Sequence, residues 1–217
     1  MARKTKKEAL KTRADILEAA IRIFSVRGVS RTTLGDIARE AGVTRGAIYW
    51  HFHNKNDLLA ALWDQLFQPI EPIVQASESK DEEDPLGLMR EALLSLFTSL
   101  ANDPVRLQLF RILHDKCELV ADTGAEHLHR ANCHRDGLRR IGTVLANAAA
   151  KGQLPPDYDI RLASIATISF IDGLLANWLI FPSQIGIDRE IPRLIDELMG
   201  LLRRGFSGRP PIPAEEL

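Results

Sequence analysis

Apolar residues recur at intervals of three and four along most of the 217-residue chain, and no stretch alternates as a half-buried strand requires. Helices are predicted throughout. The first run spans about Lys7 to Arg27, with Ile16, Ala19, Ala20, Ile23 and Phe24 on one face and Gly28 at its end. Leu34, Ile37, Ala38 and Ala41 follow at helical spacing, Gly42 interrupts, and Thr44 restarts a pattern that Ala47 and Ile48 continue. Two short helices joined by a tight turn result. Ala38 lets the second helix approach, Gly42 supplies positive φ at the turn, and Ile48 wedges between the helices, which is helix-turn-helix spacing. Asn54 is the predicted N-cap of a further helix that buries Leu58, Leu59, Leu62, Leu66 and Phe67. Pro69 and Pro72 are expected to end or kink it, since each lacks an amide donor.

Beyond the acidic run Glu78 to Asp84, read as a loop, five more helices are predicted: Pro85 to Leu100, Pro104 to Val120, Glu126 to Lys151, Asp157 to Phe181 and Ile187 to Arg204. Pro85 and Pro104 each follow an aspartate, so a cap and a first-turn proline start these helices without loss of a hydrogen bond. The expected fold is all-α: a three-helix head over residues 1–55, a helical bundle over 56–206 and a tail over 207–217 without apolar periodicity.

Charge sharpens this division. The chain carries a net charge of -1, yet residues 1–55 hold 12 Lys or Arg against 5 Asp or Glu. A basic end that also carries the helix-turn-helix points to a phosphate backbone as its partner. Arg3, Lys4, Lys6 and Lys7 form an arm open to two readings, a minor-groove or phosphate contact and a solubilising tail. Two cysteines, Cys117 and Cys133, are too few for a disulfide framework, and no signal peptide is legible at the start, so a cytoplasmic protein is expected. The stretch Leu162 to Phe181 approaches membrane-spanning length but contains Asp172 and Asn177. A mid-span acidic residue costs about 2.5 to 3.5 kcal/mol on insertion scales, so a buried helix and no membrane partner are expected.

The segment TTLGDIAREAGVTRGAIYWHFHNKNDLL, Thr32 to Leu59, closely resembles the DNA-binding domain of the TetR family of bacterial repressors, whose hallmark is the spacing seen at Gly46, Tyr49, Phe52 and Lys55. The opening MARKTKKEA, the GAIYWHF run and HDKCE (His114 to Glu118) resemble the AcrR/TtgR-like multidrug efflux branch of that family. The resemblance implies a homodimer on palindromic double-stranded operator DNA, released by a small hydrophobic or cationic effector. No cofactor is implied.

Thr44 caps the reading helix, which brings Arg45, Gly46 and Ala47 into its first turn, where side chains meet base edges in a major groove. Arg45 can donate two bonds to guanine, and Gly46 lets the backbone approach. Tyr49, His51 and Lys55 suit phosphate contacts, as do Thr32 and Thr33 at the preceding helix start. Trp50 packs either on sugar and phosphate or on the first helix.

The helix Asp157 to Phe181 is apolar nearly all round and so calls for burial on two sides. Leu162, Ala166, Phe170, Gly173, Asn177 and Ile180 form one face, assigned by the family resemblance to dimerisation together with Leu194, Leu198 and Leu201 from the stripe Ile191, Leu194, Ile195, Leu198, Leu201 and Leu202. Ile165, Ile168, Ile171, Asp172, Leu175 and Leu179 form the other. With Leu66, Leu93, Leu96, Phe97, Phe110, Leu113, His114, Cys117, His134, Gly137 and Ile141 this second face, by the same resemblance, lines an effector pocket. Its polar anchors would be Asp172, His114 and His134. His127, His129, Cys133 and His134 lack structural zinc spacing, so no metal is expected. No nucleophile elbow, glycine-rich phosphate loop or metalloprotease pair supports an enzyme. Rival readings are a repressor of lipid or other catabolic genes, an activator on the same fold, and a helical-bundle enzyme.

Overall fold

Ten helices account for nearly all of the described chain, and none of the described residues forms a sheet: α1 (Lys6–Arg27), α2 (Leu34–Glu40), α3 (Arg45–His51), α4 (Lys55–Phe67), α5 (Glu71–Ser77), α6 (Pro85–Asn102), α7 (Pro104–Asp115), α8 (Ala125–Ala150), α9 (Ile160–Ile180) and α10 (Glu190–Arg204). The structure is a computed structural model that describes the backbone of residues 6–115 and 125–205 and the side chains of 6–114 and 134–205. Arg3 and Lys4 of the basic arm, Cys117, the side chains of His127, His129 and Cys133, and the tail 207–217 lie outside the described residues. The chain divides into two compact units, one of residues 1–68 with 99–133 and one of 69–98 with 134–217.

In the first unit α1 buries Ile16, Ala19, Ala20 and Phe24 completely. Gly28, at φ 80°, ends it by donating its amide to the Phe24 carbonyl at 2.9 Å. The turn between α2 and α3 rests on Gly42 at φ 65°, a left-handed conformation that a Cβ would strain. Val43 N then closes on Ala38 O at 2.9 Å, and Ile37, Ala38 and Ile48 meet inside the head with 3 % exposure or less. Asn54 caps α4 through Asp57 N at 3.0 Å, and Leu58, Leu59, Leu62 and Leu66 are buried along it. Both α1 and α4 pack on α7, which buries Leu109, Phe110, Ile112 and Leu113.

Residues 69–77 depart from the expected break. Pro69 does follow the end of α4, but Glu71–Ser77 is a separate helix, α5, with Pro72 in its first turn. First-turn amides have no intrahelical acceptor, so a proline there costs no bond.

The second unit is fastened along α8 by a polar seam. Arg140 donates to Glu71 at 2.9 and 3.0 Å and to Glu78 at 3.0 and 3.1 Å, which straps both ends of α5. Asn147 donates to the Glu78 and Ser79 carbonyls, Lys151 pairs with Glu83 at 2.7 Å, and Gln153 donates to Asp84 at 2.6 Å. The acidic run is thus a loop, but one held at successive points. Arg140 hydrogen bonding keeps the Glu71 carboxyl below the usual carboxylate range against the opposing effect of its partial burial. Arg140→Met is expected to destabilise the protein by about 2 kcal/mol at neutral pH, because it strands two partly buried carboxylates. Since the folded pKa of Glu71 is depressed, its contribution is present above the unfolded pKa of about 4.3 and is lost as pH falls through the folded value. Melting temperatures of the two proteins should therefore converge in acid, and a constant gap from pH 7 to pH 3 would contradict the assignment.

Helix α9 is long and apolar enough by composition to cross a membrane, yet its apolar residues divide between a buried face and an open one. Ala163, Thr167, Leu174, Leu175 and Trp178 are buried, and the Trp178 ring meets Phe97 edge-on at 6.0 Å. Thr167 and Ser164 satisfy their hydroxyls on the carbonyls four residues back. Helix α10 packs on α9 with Ile191, Ile195, Leu198, Met199 and Leu202 inward, and Arg90 on α6 pairs with Asp196 at 2.6 Å.

Candidate nucleic-acid interface and effector residues

Thr44 starts α3 by accepting Ala47 N on its hydroxyl at 3.1 Å, and the hydroxyl's own hydrogen has no acceptor among the described residues. The helix is pinned from below by Ile48 and Phe52, which are fully buried, with the Arg13 guanidinium of α1 5.1 Å over the Phe52 ring. Its outer side is left open. Arg45 is exposed, a Cβ at Gly46 would meet nothing within 4 Å, and Tyr49 and Trp50 are 44 % and 71 % exposed. Arg45 and Tyr49 stand one turn apart, the guanidinium 5.9 Å from the ring centroid, while Trp50 lies edge-on to His51 at 4.6 Å. Ala47 and His51 are half-buried. A short helix with a cation, a bare backbone position and two aromatics on one solvent-facing side has the shape and chemistry to enter a major groove.

Three expectations for this surface need correction, and one left open is narrowed. Thr32 is 1 % exposed and donates its hydroxyl to Gly28 O at 2.8 Å, so its side chain braces the head and is not offered to phosphate. Thr33 is exposed, but its hydroxyl donates to Asp36 at 2.6 Å and accepts Asp36 N in a capping box. The same bonds hold the Asp36 carboxyl below its ordinary range and place an anion at the α2 start, which makes that terminus a poor phosphate seat. Lys55 reaches inward to Val29 O at 2.9 Å, tying the start of α4 to the segment between α1 and α2. Trp50 is too exposed to be packed on α1. Sequence reasoning missed Arg13 and Asp36; the Thr33-x-x-Asp36 spacing was a legible capping signal, whereas nothing in sequence marks Arg13 as the partner of Phe52.

The residues assigned to the effector fall in both units. In the first, Leu66, Phe110 and Leu113 are buried and His114 is half-buried, its ring 5.4 Å from Phe110. In the second, Leu93, Leu96, Phe97, Ile168 and Leu175 are buried, and Ile141 and Ile171 are half-buried. A Cβ at Gly137 would lie 3.1 Å from Ile168 Cδ1, so α8 and α9 approach closely at this glycine. Asp172 is not the buried anchor expected: its side chain is 55 % exposed, with the equally open His134 imidazole 3.8 Å away. Ile165, placed on the same face by sequence, is also 38 % exposed. An all-apolar helix gives periodicity nothing to orient on, and the charged residue keeps its hydration by turning outward. An open groove of about 520 Å³ between α8 and α9, lined by Leu138, Arg139, Gly142, Ile160, Arg161, Ser164 and Ile165, includes Ile165 alone of the residues on the faces assigned to the effector. Among the described residues no cluster of His, Cys, Asp and Glu is placed to hold a metal.

On the face assigned to dimerisation Leu162 and Ile180 are 47 % and 66 % exposed, and Leu201 on α10 is 43 % exposed. Ala166, Phe170 and Leu194 are half-buried, and a Cβ at Gly173 would meet nothing within 4 Å. Asn177 is exposed, its amide donating to Gly173 O at 2.7 Å. Leu198 is the exception: at 2 % exposure it belongs to the protomer's own core, as do Ile191, Ile195 and Leu202 of the same stripe. An amphipathic stripe reports that a face is buried, and not whether the same chain or a second one covers it.

A helix-turn-helix head followed by an all-helical second region defines a class of transcription factor, and comparison with known proteins makes it definite. Residues 16–62 match the family described as bacterial regulatory proteins, tetR family, and residues 84–204 match the C-terminal region of MAATS-type transcriptional repressors. The chain belongs to the TetR family of transcriptional regulators, and these are not enzymes. It is 45 % identical to the HTH-type transcriptional regulator TtgR of Pseudomonas putida, over 94 % of this chain and 97 % of that one. Among solved structures it is similar to SmeT in complex with triclosan, with a TM-score of 0.80 and 28 % identity over 94 % of this chain and 98 % of SmeT. NalD, the secondary repressor of the MexAB-OprM multidrug efflux pump in Pseudomonas aeruginosa, matches with a TM-score of 0.74 and 30 % identity over 90 % of this chain and 97 % of its own. The family read from Thr32 to Leu59 therefore holds, and with it the all-α fold and an operator-binding role.

Proposed function

We propose that this chain is a cytoplasmic repressor of a multidrug efflux operon, which binds a palindromic operator as a homodimer and leaves it when a small hydrophobic effector binds. In this reading residues 1–55 read DNA, and residues 56–206 receive the effector and form the dimer. The observation that carries it is the outward row of α3, Arg45, Gly46, Tyr49 and Trp50, on a head with a marked excess of basic residues. NalD, whose structure this chain resembles, represses an efflux pump, and SmeT binds triclosan. The base-reading residues are Arg45, Gly46 and Ala47, with Thr44, Tyr49, Trp50 and His51 toward the backbone. Within the second unit the apolar residues Leu93, Leu96, Phe97, Ile168 and Leu175 suit a neutral aromatic effector better than a cationic one, because Asp172 faces water.

Release requires the effector to bind the DNA-incompetent state more tightly than the competent one, and linkage makes the effect reciprocal. A hundredfold preference per dimer corresponds to about 2.7 kcal/mol. Titrating triclosan calorimetrically into the free and the operator-bound protein should give affinities that differ by the factor through which triclosan weakens operator binding. Equal affinities in the two states would overturn the release mechanism.

A further inference from the structure

Helix α4 is clasped at both ends by a cationic side chain on a main-chain carbonyl. At its start Lys55 Nζ donates to Val29 O at 2.9 Å, within the head. At its end Arg106 Nη1 donates to Leu66 O at 2.7 Å. Leu66 lies in the last turn of α4, where carbonyls run out of amide partners, and Pro69 just beyond it offers none. A guanidinium there also meets the negative end of the helix dipole. Arg106 is itself held: its side chain is only 19 % exposed, its Nε lies 3.7 Å from Asp103 Oδ2, and its amide donates to Asp103 Oδ1 at 3.1 Å in the first turn of α7. Both clasps, α7 and the reading helix belong to one compact unit. A cap that served only to finish a helix could come from solvent or a local side chain. This one comes from forty residues away, on a helix that packs on α1 as well as on α4.

We propose that Arg106 is a positioning residue for operator binding, which sets the end of α4 relative to α7 and passes any displacement of α7 through α4 and Lys55 to the head. Its response to effector rests on the release mechanism proposed above, whereas its effect on operator affinity in the free protein does not. With the clasp removed, the end of α4 samples several positions, only some of which suit the operator, so affinity falls by the competent fraction and an effector has less left to change.

The test compares the full-length wild type with Arg106→Met, Arg106→Lys and Arg90→Met, measuring operator affinity with and without saturating triclosan. Arg90→Met breaks a surface ion pair on α6 outside the reading machinery and controls for general loss of stability. Arg106→Met should bind operator about tenfold more weakly than wild type and respond to triclosan by about twofold or less. Arg106→Lys, which keeps one donor and the charge, should recover both to within about threefold, and Arg90→Met should match wild type. Operator affinity of Arg106→Met equal to that of wild type, or lowered no more than in Arg90→Met, would overturn the proposal. If wild type ignores triclosan, the release mechanism loses its support for this effector, and the operator arm still decides the role of Arg106.

Discussion

Replacing Gly173 by arginine is expected to give a folded monomer that has lost operator affinity by about a hundredfold or more. Within the protomer a Cβ at this position would have no atom within 4 Å. An interior helical glycine is also a poor helix former, so the change should favour α9 by about 0.5 to 1 kcal/mol. In the proposed dimer the cost would fall on the partner chain. A guanidinium between Leu162, Phe170 and Ile180 and the same face of a second copy would be desolvated without a counter-ion, and close packing across a glycine would be blocked. One protomer carries one reading helix, so a monomer engages one half-site and forfeits the second. Sedimentation velocity with a circular-dichroism melt checks both halves of the statement. A stable dimer would refute the interface, and an unfolded chain would show that Gly173 serves the protomer core.

Arg45→Ala is the second large effect. Arg45 is exposed in the first turn of α3, steadied by the ring of Tyr49 one turn on, and makes no contact that the fold depends on. Loss of a bidentate contact to guanine costs about 1 to 3 kcal/mol at each half-site, so about 2 to 6 kcal/mol per dimer, while the melting temperature stays unchanged. A footprint titration at fixed salt reads it, with non-specific DNA as the reference. Loss of equal size on operator and non-specific DNA would make Arg45 a phosphate contact, and no loss at all would remove it from the interface.

How much of this was legible in the sequence varies with the physics of each element. Short-range chemistry was: Gly42 at the turn, Thr44 and Asn54 as caps, and Asp before Pro at α6 and α7 all act within four residues and left their marks there. Helix α5 was hidden because Pro72 reads as a breaker unless the helix start is already known. The head was read well as a fold and less well as a surface. Thr32, Thr33 and Lys55 carry the right chemistry for phosphate, but the structure uses each of them internally, on Gly28, Asp36 and Val29. Spacing alone does not distinguish a donor turned outward from one turned inward. In α9 the difficulty is the reverse, an excess of apolar residues that fits any orientation, and Asp172 and Ile165 were therefore put on the wrong face.

The chain has three tryptophans, and they sit in unlike surroundings: Trp50 is 71 % exposed on the outer side of α3, Trp178 is 5 % exposed against Phe97, and Trp63 is half-buried on α4. The wild-type protein therefore carries its own optical probes on the reading helix and in the core beneath α9. A water-borne collisional quencher reaches the indole of Trp50 and is screened from that of Trp178. Emission lost to quencher reports whether DNA covers the reading helix, and the emission that survives comes from the less exposed Trp63 and Trp178. Cover of the reading helix by DNA can thus be followed in one cuvette, in real time and without a dye.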